Sequence, residues 1–140
     1  MGSKQVSKSS LEEISIRGLG VIESSNIEFK PGLTVLTGET GAGKTMVLTA
    51  LGLVLGSKSD SDLVRQGQER AVITGKFAVP KDIAKLITEG GGEIDDGSVV
   101  ITRTVSTEGK SRVLVGGAVS SAAAVNQFAQ SLVEIHAQSS

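Results

Sequence analysis

The residues with the clearest capacity for chemistry are Gly38-Glu39-Thr40-Gly41-Ala42-Gly43-Lys44-Thr45, a glycine, four free positions and then Gly-Lys-Thr. They meet every fixed position of the Walker A pattern. Glycines at 38, 41 and 43 let the backbone take positive φ and approach phosphates with no Cβ in the way. Successive N–H groups then form an anion-binding nest, and a helix starting at Lys44 adds its positive dipole end. The residues expected to hold the nucleotide run from Gly38 through Met46. Lys44 is expected to reach the β and γ phosphates as a point charge, and the Thr45 hydroxyl to ligate the Mg²⁺ bridging them. The expected ligand is therefore ATP with Mg²⁺. A chance match is the competing reading in a chain with 18 glycines. The apolar strand before the motif and the amphipathic helix after it weigh against chance.

Hydrolysis needs an acid to help hold the metal and a group to position the attacking water. A Walker B strand would end an apolar run in Asp, but Asp60, Asp62, Asp82, Asp95 and Asp96 all lie in polar or glycine-rich surroundings. The one long apolar run that meets an acid passes through Val133 to Glu134. The sequence holds half of an ATPase.

The elements that must position the motif can be read from periodicity. Ile14 and Ile16, then Ile27 and Phe29, alternate with polar residues and predict two strands before the Pro31-Gly32 turn. Leu33 to Thr37 reads as a buried strand leading into the loop. From Lys44, the residues Val47, Leu48, Leu51 and Leu55 recur at helical spacing until Gly56. Ser57 to Gln68 is loop-like, anchored by Leu63 and Val64, and Ala71 to Val79 is a strand. Pro80 suits a first helical position, and Ile83, Leu86 and Ile87 give the following helix one apolar face until Gly90 to Gly92 stop it. Val99 to Val105 and Arg112 to Val115 predict a hairpin turning at Glu108-Gly109. A helix capped by Ser120 or Ser121 should run to about Ser131, and Leu132 to Ile135 reads as a closing strand. This order predicts a single α/β domain with a mixed sheet around the Walker A strand-loop-helix.

Composition narrows the function. The 140 residues suffice to bury roughly two-thirds of the extended-chain surface. The 39% apolar share includes no Trp or Tyr and only three Phe, so base stacking on aromatics is not the expected mode of binding. Fourteen basic against fifteen acidic residues leave a formal charge of −1, without the basic excess of a self-sufficient DNA-binding domain. Absence of cysteine excludes disulfides and Cys-based zinc sites and suits the cytoplasm. Met46 to Leu55 is about half the length of a membrane span, and no membrane partner is expected. Residues 1–10 read as a polar leader.

The stretch Gly32-Leu33-Thr34-Val35-Leu36-Thr37-Gly38-Glu39-Thr40-Gly41-Ala42-Gly43-Lys44-Thr45 closely resembles the start of the bacterial RecN DNA-repair proteins. Leu51-Gly52-Leu53-Val54-Leu55-Gly56, Val64-Arg65-Gln66-Gly67, Gly109-Lys110-Ser111-Arg112, Gly116-Gly117 and Leu132-Val133-Glu134-Ile135-His136-Ala137-Gln138 follow in that family's order. The family is similar to the structural-maintenance-of-chromosomes (SMC) proteins. Its ABC-type ATPase head is split between the two ends of a long chain, with a coiled coil between.

The resemblance implies that residues 11–140 form the amino-terminal head lobe, with signature motif, Walker B strand and coiled coil lying after Ser140. The implied partners are the carboxy-terminal lobe of the same protein, a second head in a homodimer, and DNA through the full protein. The implied place is the cytoplasm, at the nucleoid. Gln138 becomes the Q-loop glutamine, which contacts Mg²⁺ and the attacking water when two heads close on ATP, so that Lys44 and Gln138 are the catalytic candidates. Ala137 departs from the family's usual His-Gly-Gln and would restrict that loop, while His136 reads as a polar residue ending a strand. Gly18-Leu19 stands where family members carry Asn-Phe, so no base contact is carried over.

Arg65 is either a solvated loop arginine or the arginine that reaches toward nucleotide or DNA. Arg103, Lys110 and Arg112 are either a local DNA-facing patch or solvated strand residues. Gly91-Gly92-Glu93 lacks the serine of an ABC signature. Two other readings stay open: a stand-alone small P-loop NTPase or kinase, and a structural DNA-binding module with a vestigial loop.

Overall fold

A computed structural model describes residues 11–29 and 41–132. Strands β1 (Leu11–Leu19) and β2 (Ile22–Glu28) form a hairpin. Helix α1 (Gly41–Val54) follows, then a single 3₁₀ turn at Ser61–Leu63 and strand β3 (Arg70–Ala78). Helix α2 (Lys81–Glu89), strands β4 (Ser98–Ser106), β5 (Ser111–Val115) and β6 (Ala118–Ser120), and helix α3 (Ala122–Leu132) complete the described order.

The six strands make one sheet in the order β2-β1-β3-β4-β5-β6, and each neighbouring pair is antiparallel. Period-two alternation decides which face is which. Ile14 and Ile16 of β1, Ala71, Ile73 and Phe77 of β3, Val99, Ile101 and Val105 of β4, and Val113 and Val115 of β5 all point to one buried face. Ala50, Leu53 and Val54 of α1, Ile83 and Ile87 of α2 and Val125 of α3 join the same core. Each of the Val, Leu, Ile and Phe side chains among them contributes about 1.5–3 kcal/mol by leaving water. Helix α1 lies over β1, β3 and β4, and α3 meets β5. The lobe is α/β as expected; among the described residues its sheet is wholly antiparallel, and the Walker A strand expected to make it mixed lies outside them.

Several details differ from the sequence reading. Helix α1 begins at Gly41, three residues before Lys44. Its buried stripe is Ala50, Leu53 and Val54, which leaves Leu48 on the opposite side and 54% exposed. Leu86 is likewise exposed, flanking the Ile83–Ile87 stripe. Pro80 is the N-cap of α2, its extended backbone at ψ 163° postponing the helix by one residue. Ser121 caps α3 as expected, its Oγ accepting from the Ala124 amide at 3.0 Å. Leu132 belongs to α3 and not to a strand. The expected strand at Leu33–Thr37 and the segment Val133–Ile135 lie outside the described residues.

Candidate functional site

The carboxyl half of the motif, Gly41 to Thr45, forms the first turn of α1. First-turn amides of a helix have no intrahelical acceptor and are available to a ligand. Gly41 and Gly43 take helical backbone there, so their service to an anion is the missing Cβ rather than positive φ. No acidic side chain occupies that first turn, so none of its own residues opposes the positive end of the helix dipole. Thr45 is exposed, so its hydroxyl is accessible from solvent. These features fit a bound polyphosphate whose magnesium takes a hydroxyl ligand. Gly38, Glu39, Thr40 and Gln138 lie outside the described residues, as do the side chains of Ala42 and Lys44. Among the described residues no group of three or more His, Cys, Asp or Glu could hold a metal.

Behind this helix end stands the β1–β2 turn. A Cβ on Gly20 would lie 2.4 Å from Met46 Sδ, so the turn and the second turn of α1 touch. Gly20 also accepts a 3.2 Å hydrogen bond from Arg65 Nη1, and the Arg65 amide donates to Gly18 O at 2.8 Å. Arg65 is thus a half-buried strut between the 61–68 loop and the turn behind Met46. An open groove of about 570 Å³ lies beside it, lined by Ser61, Asp62, Gln66, Gln68 and Thr107 among others. Leu19 is fully buried.

The structure moves Arg103 out of the proposed surface patch. It is 2% exposed, because it shares the inward parity of Ile101 and Val105 on β4. Its Nη1 donates to Leu53 O at 2.6 Å and its Nε to Ser111 Oγ at 2.9 Å. Burial lowers its pKa from the ordinary arginine value, but guanidinium stays charged at neutral pH. Helix α1 has no basic residue in its own last turn. Arg103 therefore brings a cation from the sheet to the negative end of the helix that carries the motif. Lys110 and Arg112 remain exposed, and Lys110 lies 3.8 Å from Glu108 across the hairpin turn.

A second contact fixes the carboxyl end of α1. Gly56, at φ 100°, packs so closely on α3 that a Cβ would lie 2.6 Å from Ala122 O. The helix that begins in the motif thus abuts the helix that leads toward residues 133–138. Period-two parity on β4 could have revealed Arg103 from sequence; no local pattern announces the Gly56 contact.

A protein-family model described as an AAA domain matches residues 13–138. The chain is 50% identical over 125 residues to DNA repair protein RecN of Streptomyces coelicolor, and 42% identical over 130 residues to that of Halalkalibacterium halodurans. These matches cover 88% and 91% of the chain but only 22% and 23% of the relatives, so it spans under a quarter of their length. Among solved structures it resembles an SMC ATPase studied for ATP-driven dimerization and DNA-stimulated activation. The TM-score is 0.69 at 22% identity, covering 91% of this chain and 81% of that one. At that identity the likeness establishes the fold.

Proposed function

Because the chain belongs to the AAA-domain family, as an amino-terminal RecN/SMC-like ATPase head lobe, we propose that it is the ATP–Mg²⁺-binding half of a DNA double-strand-break repair ATPase. The observation that carries this is that Gly41 to Thr45 form the first turn of α1, whose amides have no intrahelical acceptor and suit an anion. In this reading Gly38 through Met46 cradle the phosphates, Lys44 offsets their charge, and Thr45 and Gln138 hold Mg²⁺. A magnesium ion held there would supply neutralisation of phosphate charge.

Catalysis awaits a carboxy-terminal lobe and a second head, since the Asp residues of this chain end no apolar strand. Closure of two such heads on ATP would drive the DNA tethering of the complete protein, in the cytoplasm. The SMC relative studied for ATP-driven dimerization supports that cycle by analogy.

Calorimetric titration of the chain and of Lys44→Ala with ATP–Mg²⁺ tests the reading. Weak binding, in the micromolar range or above, is expected for the chain and none for the variant. Equal behaviour of the two would support a vestigial loop. Robust steady-state phosphate release from the chain alone would instead identify a stand-alone NTPase.

A further inference from the structure

The reactive sulfur of this chain is confined to thioethers. It has no cysteine, and its two methionines are Met1 and Met46. Met1 lies outside the described residues, whereas Met46 directly follows Thr45 in α1. Its side chain is partly exposed and also packs against the hydrophobic core, so a small solute can approach it while its packing matters to the fold. The sulfur fills the space beside Gly20: a Cβ there would lie 2.4 Å from Sδ and 3.4 Å from Cγ. No room is left on that side for a further atom.

Gly20 is fastened to the 61–68 loop through both of its backbone groups. Its amide donates to Leu63 O at 2.8 Å, and its carbonyl accepts from Arg65 Nη1 at 3.2 Å. Leu19 adds a bridge to Val64. Through Met46, this hydrogen-bonded corner buttresses the amino-terminal part of α1. A helix of 14 residues draws its stability from tertiary packing more than from propensity, and its first-turn amides have no intrahelical acceptor. Loss of the buttress therefore loosens the turn that is to hold the phosphates.

Oxidation of the thioether would cause that loss. A hydroperoxide transfers one oxygen to sulfur: the O–O bond breaks, an S–O bond forms, sulfur gives up two electrons, and the peroxide leaves as alcohol or water. The sulfoxide is polar, and a buried oxygen without a donor is unfavourable. The Gly20 amide is already committed to Leu63 O. The oxidised side chain then turns out to solvent and leaves Gly20 unpacked.

We propose that Met46 is a redox-sensitive modification site, at which a peroxide forms the sulfoxide, parts the Gly20 corner from α1 and weakens the phosphate seat. The inference rests on the ATP-binding reading. The test is to treat the chain with hydrogen peroxide, locate the sulfoxide by peptide mass spectrometry, and titrate ATP–Mg²⁺ by calorimetry before and after. Kd should rise about fivefold, the scale of one lost packing contact. Methionine sulfoxide reductase with a dithiol, which removes the oxygen as water and leaves a disulfide, should restore the original Kd. M46L, which keeps Met1, should give one Kd before and after peroxide. Without nucleotide, hydrogen exchange at the Gly20 and Arg65 amides should quicken about fivefold on oxidation, while exchange within β4 stays unchanged.

Failure of peroxide to oxidise Met46 in the folded chain overturns the proposal. So does an unchanged Kd at full oxidation of Met46, or an equal peroxide effect in M46L. If the untreated chain binds no ATP–Mg²⁺, the nucleotide reading fails on its own. Faster exchange at Gly20 and Arg65 then still upholds the modification site, and unchanged exchange overturns it.

Discussion

At the scale of single residues, Arg103 shows how a charge can serve a fold from within. Its guanidinium meets Leu53 O and Ser111 Oγ at once, a forked geometry that a lysine ammonium does not reproduce. Leu53 O also accepts from the Gly56 amide at 3.2 Å, so removing Arg103 takes one partner from that buried carbonyl and leaves the exposed Ser111 hydroxyl to solvent. Arg103→Met should therefore cost about 1–3 kcal/mol, and Arg103→Lys part of it. Urea unfolding should show a lower midpoint at unchanged m for both variants, in the order native, Lys, Met. A midpoint for Arg103→Met equal to that of the native chain would show that the two hydrogen bonds only repay the cost of burying the charge. Arg103 was legible as a basic residue but not as a buried one, because a strand residue's sign says nothing about its face. Its parity with Ile101 and Val105 does.

Among the elements, α1 is held at both ends by glycines that make unequal demands. Gly20 has φ 54° and faces the flexible end of Met46, whereas Gly56 has φ 100° and faces the backbone carbonyl of Ala122. A Met side chain can turn aside; a helix N-terminus must move bodily. Gly20→Ala should therefore cost about 1 kcal/mol, and Gly56→Ala about 2–4 kcal/mol from strained φ plus the displaced α3. Differential scanning calorimetry of the two variants should rank them in that order. Strand β1 was legible from Ile14 and Ile16, β3 and β4 from apolar residues recurring at period two, and β5 from the short apolar run Val113-Leu114-Val115 after the Glu108-Gly109 turn. β6 was not, since Ala118-Val119-Ser120 is too short for any period to show. The helices were legible in extent but not in facing: Leu48 and Leu86 satisfy helical spacing, yet Ala50 and Leu53 are what α1 buries. Of the site, the helix that follows the motif was legible because its periodicity is local, while Gly38 to Thr40 lie outside the described residues. The struts from Arg65 and Arg103 join residues 45 and 50 positions apart, and no local pattern encodes such pairs.

For the whole molecule, the order β2-β1-β3-β4-β5-β6 means that, among the described residues, the strand that pairs along β1 after β2 is β3, beginning at Arg70, with only an isolated bridge at Val64 before it. The strands from β4 onward are joined by short turns, so their pairing is local. Registering β1 against β3 instead encloses the whole stretch from Gly20 to Glu69, motif included. At about 0.6 kcal/mol per doubling of length, closing it costs roughly 2 kcal/mol more than closing the β4–β5 turn. The last four strands should then assemble first, with β1 and β2 joining after the main barrier. Stopped-flow chevrons would report this as a φ-value of about 0.5 or more for Val113→Ala and below about 0.3 for Ile16→Val. The consequence concerns timing in synthesis: α1 is made early, but β3, against which it packs, emerges later, so under the proposed function nucleotide capture waits for β3.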